Sequence, residues 1–297
     1  MLAGQHVPLP RASLSQLRCP GSKRKLLPAI RTLVASQPAR VELLVEPFCG
    51  GASIALGLLA GDAVDRVILG DADELVGAFW QAATCHTGEL VEAMRAEPVT
   101  LQRWDYWRSA QPDTLLGRAL KCLFLNRTSF SGIIGGNAGP IGGRSQGSYR
   151  IDCRFDKDTV ATRLETIGRL RRDGRIAACH TAEWQDTLRL ADAFAAAGNV
   201  DGANIVYYLD PPYVRKAGRL YEQSFTMAQH QHLAEALAAR RGWILSCDAE
   251  PPILNLYRGQ PGVREYQVAH HCTMTGRRAR HAGGREVVFA RLGDPAG

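Results

Sequence analysis

The sequence predicts an α/β fold, on three observations. Runs of β-branched and aromatic residues alternate with stretches of helical spacing along most of the chain. A strand, a glycine turn and a small-residue helix follow one another between 41 and 59. A further buried strand, Ile205-Val206-Tyr207-Tyr208-Leu209, is stopped by Pro211 and Pro212 and leaves Asp210 at its C-terminal end. In open α/β sheets that edge is where ligands bind.

With 297 residues the chain is long enough for one large α/β domain with an insertion, or for two domains. A hydrophobic content of 45% and a charged content of 22% are those of a globular protein. The formal net charge of +7, with a pI near 9.1, favours an anionic partner such as nucleic acid. None of the eight cysteines stands in C-x-x-C spacing, which argues against a zinc ribbon or a thioredoxin-like site. They read as reduced, mostly buried thiols of a cytosolic protein. No signal-peptide core and no membrane span is evident.

Taken in order, residues 1–17 read as a loosely ordered lead-in. Arg18 to Lys25 form a basic turn, followed by a helix from Leu26 to Leu33 with Pro28 in its first turn. Val41 to Val45 is a strand that runs through Pro47-Phe48-Cys49-Gly50-Gly51-Ala52-Ser53 into a helix from Ile54 to Leu59. Glycines there let the backbone approach a ligand, and the helix N-terminus faces its negative end. Val67 to Leu69 is the next strand and ends at Asp71, about 20 residues beyond the glycines, where an acid can take ribose hydroxyls. The turn is not G-x-G-x-x-G, so a nucleoside-type cofactor is expected ahead of a dinucleotide; a lone Gly-Gly after a strand is otherwise simply a tight turn.

Residues 75–150 break this rhythm. Helical stretches run from Leu75 to Ala83 and from Gly88 to Arg95, and an apolar one from Leu115 to Leu125. Asn126-Arg127-Thr128-Ser129-Phe130-Ser131 follows, and then seven glycines between Gly132 and Gly147. This segment is either a pliant surface loop or one that meets a nucleic-acid backbone closely, with Asn126, Arg127, Asn137 and Arg144 as donors and Phe130 as a wedge. From 151 the alternation resumes: a helix from Thr159 to Leu170, a strand from Arg175 to Cys179, the strand before Asp210, a helix opened by Thr226 and Gln229, and strands at Trp243 to Ser246 and Glu286 to Ala290. His230 and His232, two apart on a helix, do not share a face, and His270-His271-Cys272 has no carboxylate company, so neither predicts a metal. The run Arg277-Arg278-Ala279-Arg280 is a solvated loop or a phosphate contact.

Asp210-Pro211-Pro212-Tyr213 on its own could be a strand end whose acid caps a turn. An acid, stiff backbone carbonyls and a stacking ring in that place also suit one chemistry: acceptance of an exocyclic amine, with the base lying on the ring.

Together, Arg18 to Lys23, Pro47 to Ser53, Asp71, Leu125 to Thr128, Asp210 to Tyr213, and Phe225-Thr226 with His230, Leu233 and Ser246 stand in a familiar order. The sequence resembles the Dam-type family of adenine-specific DNA methyltransferases, which use S-adenosylmethionine. The resemblance covers roughly residues 16–290. It implies a Rossmann-like methyltransferase sheet with helices on both faces and an inserted, mostly helical target-recognition region. The division it implies is 1–74 for the cofactor half, 75–150 for recognition with the glycine-rich loop, and 151–297 for the catalytic half.

By the same resemblance, the cofactor is held by Cys19, Gly21, Lys23, Pro47, Phe48, Gly50, Gly51, Ser53 and Asp71, with Glu183 and Trp184 beside its adenine and Asp210 at its methyl. Asp210, Pro211, Pro212 and Tyr213 are the implied catalytic residues. Asn126, Arg127, Thr128, Phe130, Ser131, Asn137 and Arg144 are the implied contacts to double-stranded DNA. Where many members carry Gly-Leu-Tyr-Arg-x-Asn, this chain has Gly132-Ile133-Ile134-Gly135-Gly136-Asn137, so a GATC target is not expected. The implied enzyme flips its target base, needs no metal, and is a monomer or weak dimer. It is cytoplasmic, bacterial or phage-encoded, of the kind found in restriction-modification systems. Methylation of cytosine at N4, methylation of RNA, and a non-catalytic DNA-binding module of the same fold are the alternatives.

Overall fold

A computed structural model describes residues 14–18, 23–212, 225–269 and 285–293. Tyr213, Cys19, Gly21, the basic run 277–280 and the cluster at 270–272 lie outside the described residues. The strands are β1 (Leu43–Glu46), β2 (Arg66–Asp71), β3 (Ile176–Thr181), β4 (Ile205–Leu209), β5 (Trp243–Asp248), β6 (Arg264–Ala269) and β7 (Arg285–Arg291). They form one sheet in the order β3-β2-β1-β4-β5-β7-β6. β1 to β5 are parallel, and β7 runs antiparallel between β5 and β6. The strand order reverses between β1 and β4, which pair from Leu43↔Ile205 to Val45↔Tyr207. At such a switch point the connections leave in opposite directions and open a crevice at the C-terminal strand ends.

Alternation along each strand assigns the two faces. Leu44, Val67, Leu69, Val206, Tyr208, Ile244 and Val288 point into one buried layer. It is covered by α1 (Leu27–Ala35), α2 (Ser53–Ala60), α3 (Glu74–Cys85), α4 (Thr87–Ala96), α5 (Leu101–Ser109), α6 (Leu115–Thr128) and α7 (Lys157–Arg172). Leu43, Val45, Ile68, Tyr207, Leu209, Trp243, Leu245 and Phe289 point the other way, under α8 (Trp184–Ala196), α9 (Met227–Ala238) and α10 (Pro251–Tyr257). The expected α/β class with helices on both faces is therefore what the chain forms. No helix among the described residues is long and apolar enough to cross a membrane.

Local chemistry explains most boundaries. Pro28 sits in the first turn of α1, where its missing N–H costs nothing. Asp73 caps α3 by accepting from the amides of Leu75 and Val76. Thr226 and Gln229 close the capping box of α9. Residues 14–17, read from sequence as part of a loose lead-in, are instead packed: Gln16 and Leu17 are buried and the Ser15 hydroxyl donates to the Gly51 carbonyl (2.5 Å). β6 escapes a sequence reading because it is an edge strand, in which Tyr266 and Val268 pack against the core while Arg264, Glu265 and Gln267 are polar.

Gly70 of β2 shows how closely α8 sits on the sheet. A Cβ there would lie 2.9 Å from the Thr187 methyl and closer still to its hydroxyl. Thr187 is fully buried and hydrogen-bonded to His180 (3.1 Å), so it has little room to yield. Gly70→Ala is expected to destabilise the protein by about 1–3 kcal/mol through overpacking, read as a lower denaturation midpoint with unchanged denaturant slope.

Candidate active site

Asp210 follows β4 at the switch point, and its carboxylate is anchored on one oxygen. Lys23 Nζ lies 3.0 Å from Oδ1, and the Ser246 hydroxyl donates to the same oxygen at 2.9 Å. Tyr208 lies 2.9 Å from Ser246 Oγ, and since a carboxylate only accepts, the chain of donation runs from Tyr208 through Ser246 to Asp210. No described residue bonds Oδ2, and the Asp210 side chain keeps 22% of its surface exposed. Lys23 also pairs with Glu286, from β7. Burial works against the Lys23 ammonium, but Asp210 and Glu286 outweigh it and hold the lysine above its ordinary pKa. Burial pushes Asp210 above the usual carboxylate range, with Lys23 pulling it back.

The glycine turn lies beside this group. Pro47 is buried and Phe48 half-buried, its ring edge-on to Phe225 at 5.6 Å. Gly50 (φ 44°) and Ala52 (φ 47°) adopt left-handed backbone, which brings the chain sharply round into α2. α2 begins at Ser53; its N-cap residue, Ala52, has no side chain that caps, and Glu46 Oε2 instead accepts from the first-turn amide of Ala55 at 3.0 Å. Burial raises the Glu46 carboxyl well above its ordinary value, and Asp210 and Asp71 add to this. Asp71, at the end of β2, accepts from the Gly50 amide (2.7 Å) and the Asp73 amide (3.0 Å). Burial nevertheless raises it to about 6. Glu183, exposed, follows directly on Ala182, whose amide donates to the Asp71 carbonyl (2.9 Å). Trp184 departs from its expected place beside a cofactor: it is 3% exposed and packs in the core under α8, edge-on to His232. The cause is amphipathic spacing, since Trp184, Leu188 and Ala191 share one helix face.

The 126–147 stretch separates into braces and exposed groups. Asn126 is buried; its amide donates to the Arg18 and Gly132 carbonyls (2.9 and 2.8 Å) and its oxygen accepts from the Arg18 amide (2.7 Å). Thr128 is buried with its hydroxyl on the Phe124 carbonyl. Arg127 donates to Gln16 (3.0 Å) and the Arg154 carbonyl (3.3 Å). Burial, with Arg163 and Arg18 nearby, pushes its pKa down to about 10. Asn126 and Thr128 are committed to internal bonds, contrary to their expected role, and Arg127 is tied in by both terminal nitrogens with its buried Nε left unbonded. Phe130, 66% exposed, Asn137 and Arg144 do face solvent, and Ser131 (φ 56°) turns the chain between them.

The glycines are not uniformly open either. A Cβ on Gly132 would strike the Arg18 carbonyl, and one on Gly142 the Tyr149 carbonyl, so both serve internal packing. The loop is also pinned from outside. Arg108 of α5 donates to the Ile134 and Gly136 carbonyls, and Trp104 to the Ser129 hydroxyl. Asp105 takes both arms of Arg144 at 2.7 Å. A built loop, closed by Phe130 N–H to the Gly139 carbonyl and Ile141 N–H to the Thr128 carbonyl, replaces the pliant one.

Glu286, Glu46 and the α5 anchors were not singled out from sequence, and Ser246 was noted only as part of a pattern. The signal for the two glutamates is an acid at the end of an otherwise apolar strand, which must find a partner if buried. Among the described residues, no group of three or more His, Cys, Asp or Glu is gathered as a metal site.

No curated protein matches the chain. Residues 20–157 match the family model described as D12 class N6 adenine-specific DNA methyltransferase. That span contains Lys23, the 47–53 turn, Asp71 and the pinned loop, while Asp210, Ser246 and Glu286 lie beyond it. S-adenosylmethionine is the methyl donor of this class and DNA its substrate. The match covers a little under half of the chain, and over that span the chain is similar to an enzyme family that methylates adenine at N6 in DNA.

Proposed function

We propose that the enzyme acts on an adenine flipped out of duplex DNA, with Asp210 and the Pro211 carbonyl accepting the two N6 hydrogens and Tyr213 stacking on the base. The observation that carries this reading is the one-sided anchoring of Asp210. Lys23 and Ser246 engage Oδ1, and Oδ2 is left to an incoming donor. The fit to S-adenosylmethionine rests on charge and chemistry. Glu46, Asp71 and Asp210 lie within electrostatic reach of one another at the strand ends, a group of acids that suits a sulfonium cation. Asp71 would offer a carboxylate to vicinal hydroxyls, and the Phe48 to Gly51 turn, Ser53 and the start of α2 would hold the methionine part. The cofactor supplies an electrophilic methyl group on sulfur.

The protein's own contribution is alignment and charge. Adenine's N6 lone pair is delocalised into the ring, so two acceptors on its hydrogens favour a more tetrahedral nitrogen whose lone pair can face the methyl. With the methyl donor bound, Asp210 would stabilise the positive charge that methylation places on N6 and accept the proton that N6 then gives up. Most of the rate comes from placing these groups in advance. In single turnovers, Asp210→Ala is expected to abolish methyl transfer while cofactor affinity changes far less; near-normal transfer would overturn the assignment.

Asp71 gives a pH signature. Its carboxyl titrates near 6, and ribose hydroxyls bind the ionised form, so protons compete with the cofactor. Affinity for S-adenosylmethionine is expected to be flat above about pH 7 and to fall below 6, approaching tenfold per pH unit. Asp71→Asn should lose roughly 1.5–3 kcal/mol at pH 7.5 and most of that pH dependence. Calorimetry at pH 5, 6 and 7.5 measures both.

We further infer that the pinned loop reads DNA through Phe130, Asn137 and Arg144, and that its target differs from GATC. A Cβ added at any of four solvent-side glycines (Gly136, Gly139, Gly143 and Gly147) would meet nothing within 4 Å, so their outer faces leave room for a duplex. Arg144→Ala should weaken binding and flatten its salt dependence by about one unit if the contact is a phosphate, or relax specificity at one position by about 1–3 kcal/mol if it is a base. Asn126→Ala should act otherwise, costing about 1–3 kcal/mol of stability by leaving buried groups unpaired. Binding titrations against salt, methylation-site mapping and thermal melts separate the two.

A further inference from the structure

We propose that Glu286 is a positioning residue for methyl transfer, sharing the Lys23 ammonium with Asp210 so that Lys23 stays on Oδ1 and Oδ2 stays available to the target amine. The inference rests on the reading of Asp210 given above. Glu286 is 4% exposed and comes from the far end of the chain, 263 residues from Lys23. Its strand is held in register with β5, where Ser246 faces Val288 and Asp248 faces Glu286. The two strands thus bring Ser246 and Glu286 to the site together, Ser246 to Asp210 directly and Glu286 through the lysine.

A buried carboxylate this close to a buried ammonium has a large desolvation cost, so its presence requires a charged partner. An ordinary structural ion pair would be complete with Lys23 and one acid. Here the ammonium lies between two, and one of them is the acid at the reacting centre. An ammonium held by Asp210 alone could slide between its oxygens and compete with the adenine amine. Held also by Glu286, it is fixed at one oxygen.

The test is a double-variant cycle on the full-length enzyme, with single-turnover methyl incorporation into plasmid DNA from a methylation-free host. Glu286→Gln is expected to slow transfer at least tenfold while the affinities for S-adenosylmethionine and for DNA stay within threefold. Lys23→Met should slow it as well. Because Glu286 acts through Lys23, the Lys23→Met/Glu286→Gln double variant should be no slower than Lys23→Met alone. Independent multiplication of the two effects, a Glu286→Gln rate within twofold of wild type, or a loss confined to cofactor affinity would each overturn the proposal. Should Glu286→Gln not fold, the double variant, which buries neither charge, decides by the same comparison with Lys23→Met. Asp210→Ala run alongside distinguishes the failures: near-normal transfer there sinks the Asp210 reading, whereas an inactive Asp210→Ala with a normal Glu286→Gln sinks this inference alone.

Discussion

A single buried ammonium ties the two ends of this chain to its centre. Lys23 precedes the first helix, Asp210 follows the central strand, and Glu286 opens the last one. None of the three could be buried alone without a cost of several kcal/mol. Their mutual requirement makes the N-terminal turn, the switch point and the antiparallel β7 interdependent. The site is consequently sensitive to anything that moves the sheet's last strand, although that strand is distant from the glycine turn in sequence.

Around that group the fold does simple positional work. Parallel strands deliver Glu46, Asp71 and Asp210 to one edge because each ends a β unit, and the reversal between β1 and β4 opens that edge. β7, entering from the opposite direction, brings its N-terminal residue pair to the same edge. The helices on the two faces hold the strands rigid, as the seating of Thr187 on Gly70 illustrates. The acids at the edge are thus presented by backbone whose position is over-determined by packing, which is what preorganised charge requires.

The parts legible in the sequence were those with local grammar. Proline after a β-branched run located Asp210, glycines after a strand located the turn, and a Thr-x-x-Gln sequence located the start of α9. What stayed hidden was non-local. Nothing in the neighbourhood of Glu286 says that its partner is 263 residues away. Asn126 and Arg127 look like surface donors because their types are polar, yet their partners, Arg18 and Gln16, come from a segment with no periodic signal of its own. Trp184 reads as a ligand-stacking ring by position and is a core residue by helical spacing. β6 is nearly invisible because an edge strand needs few apolar residues.

The glycine-rich loop carries a consequence for how such an enzyme could acquire a new target. Its shape is held by Arg108, Trp104 and Asp105 on α5, with Arg108 and Arg144 both lying over the Trp104 indole at about 5.5 Å. A graft of residues 126–147 into a related scaffold would leave those clamps behind and deliver a loop with no defined shape. On the reading proposed above, the smallest heritable unit of this surface is discontinuous in sequence. It begins at Leu101, skips the buried body of α6, and resumes at Phe130, so a change of specificity would be expected to arise by paired changes in two segments.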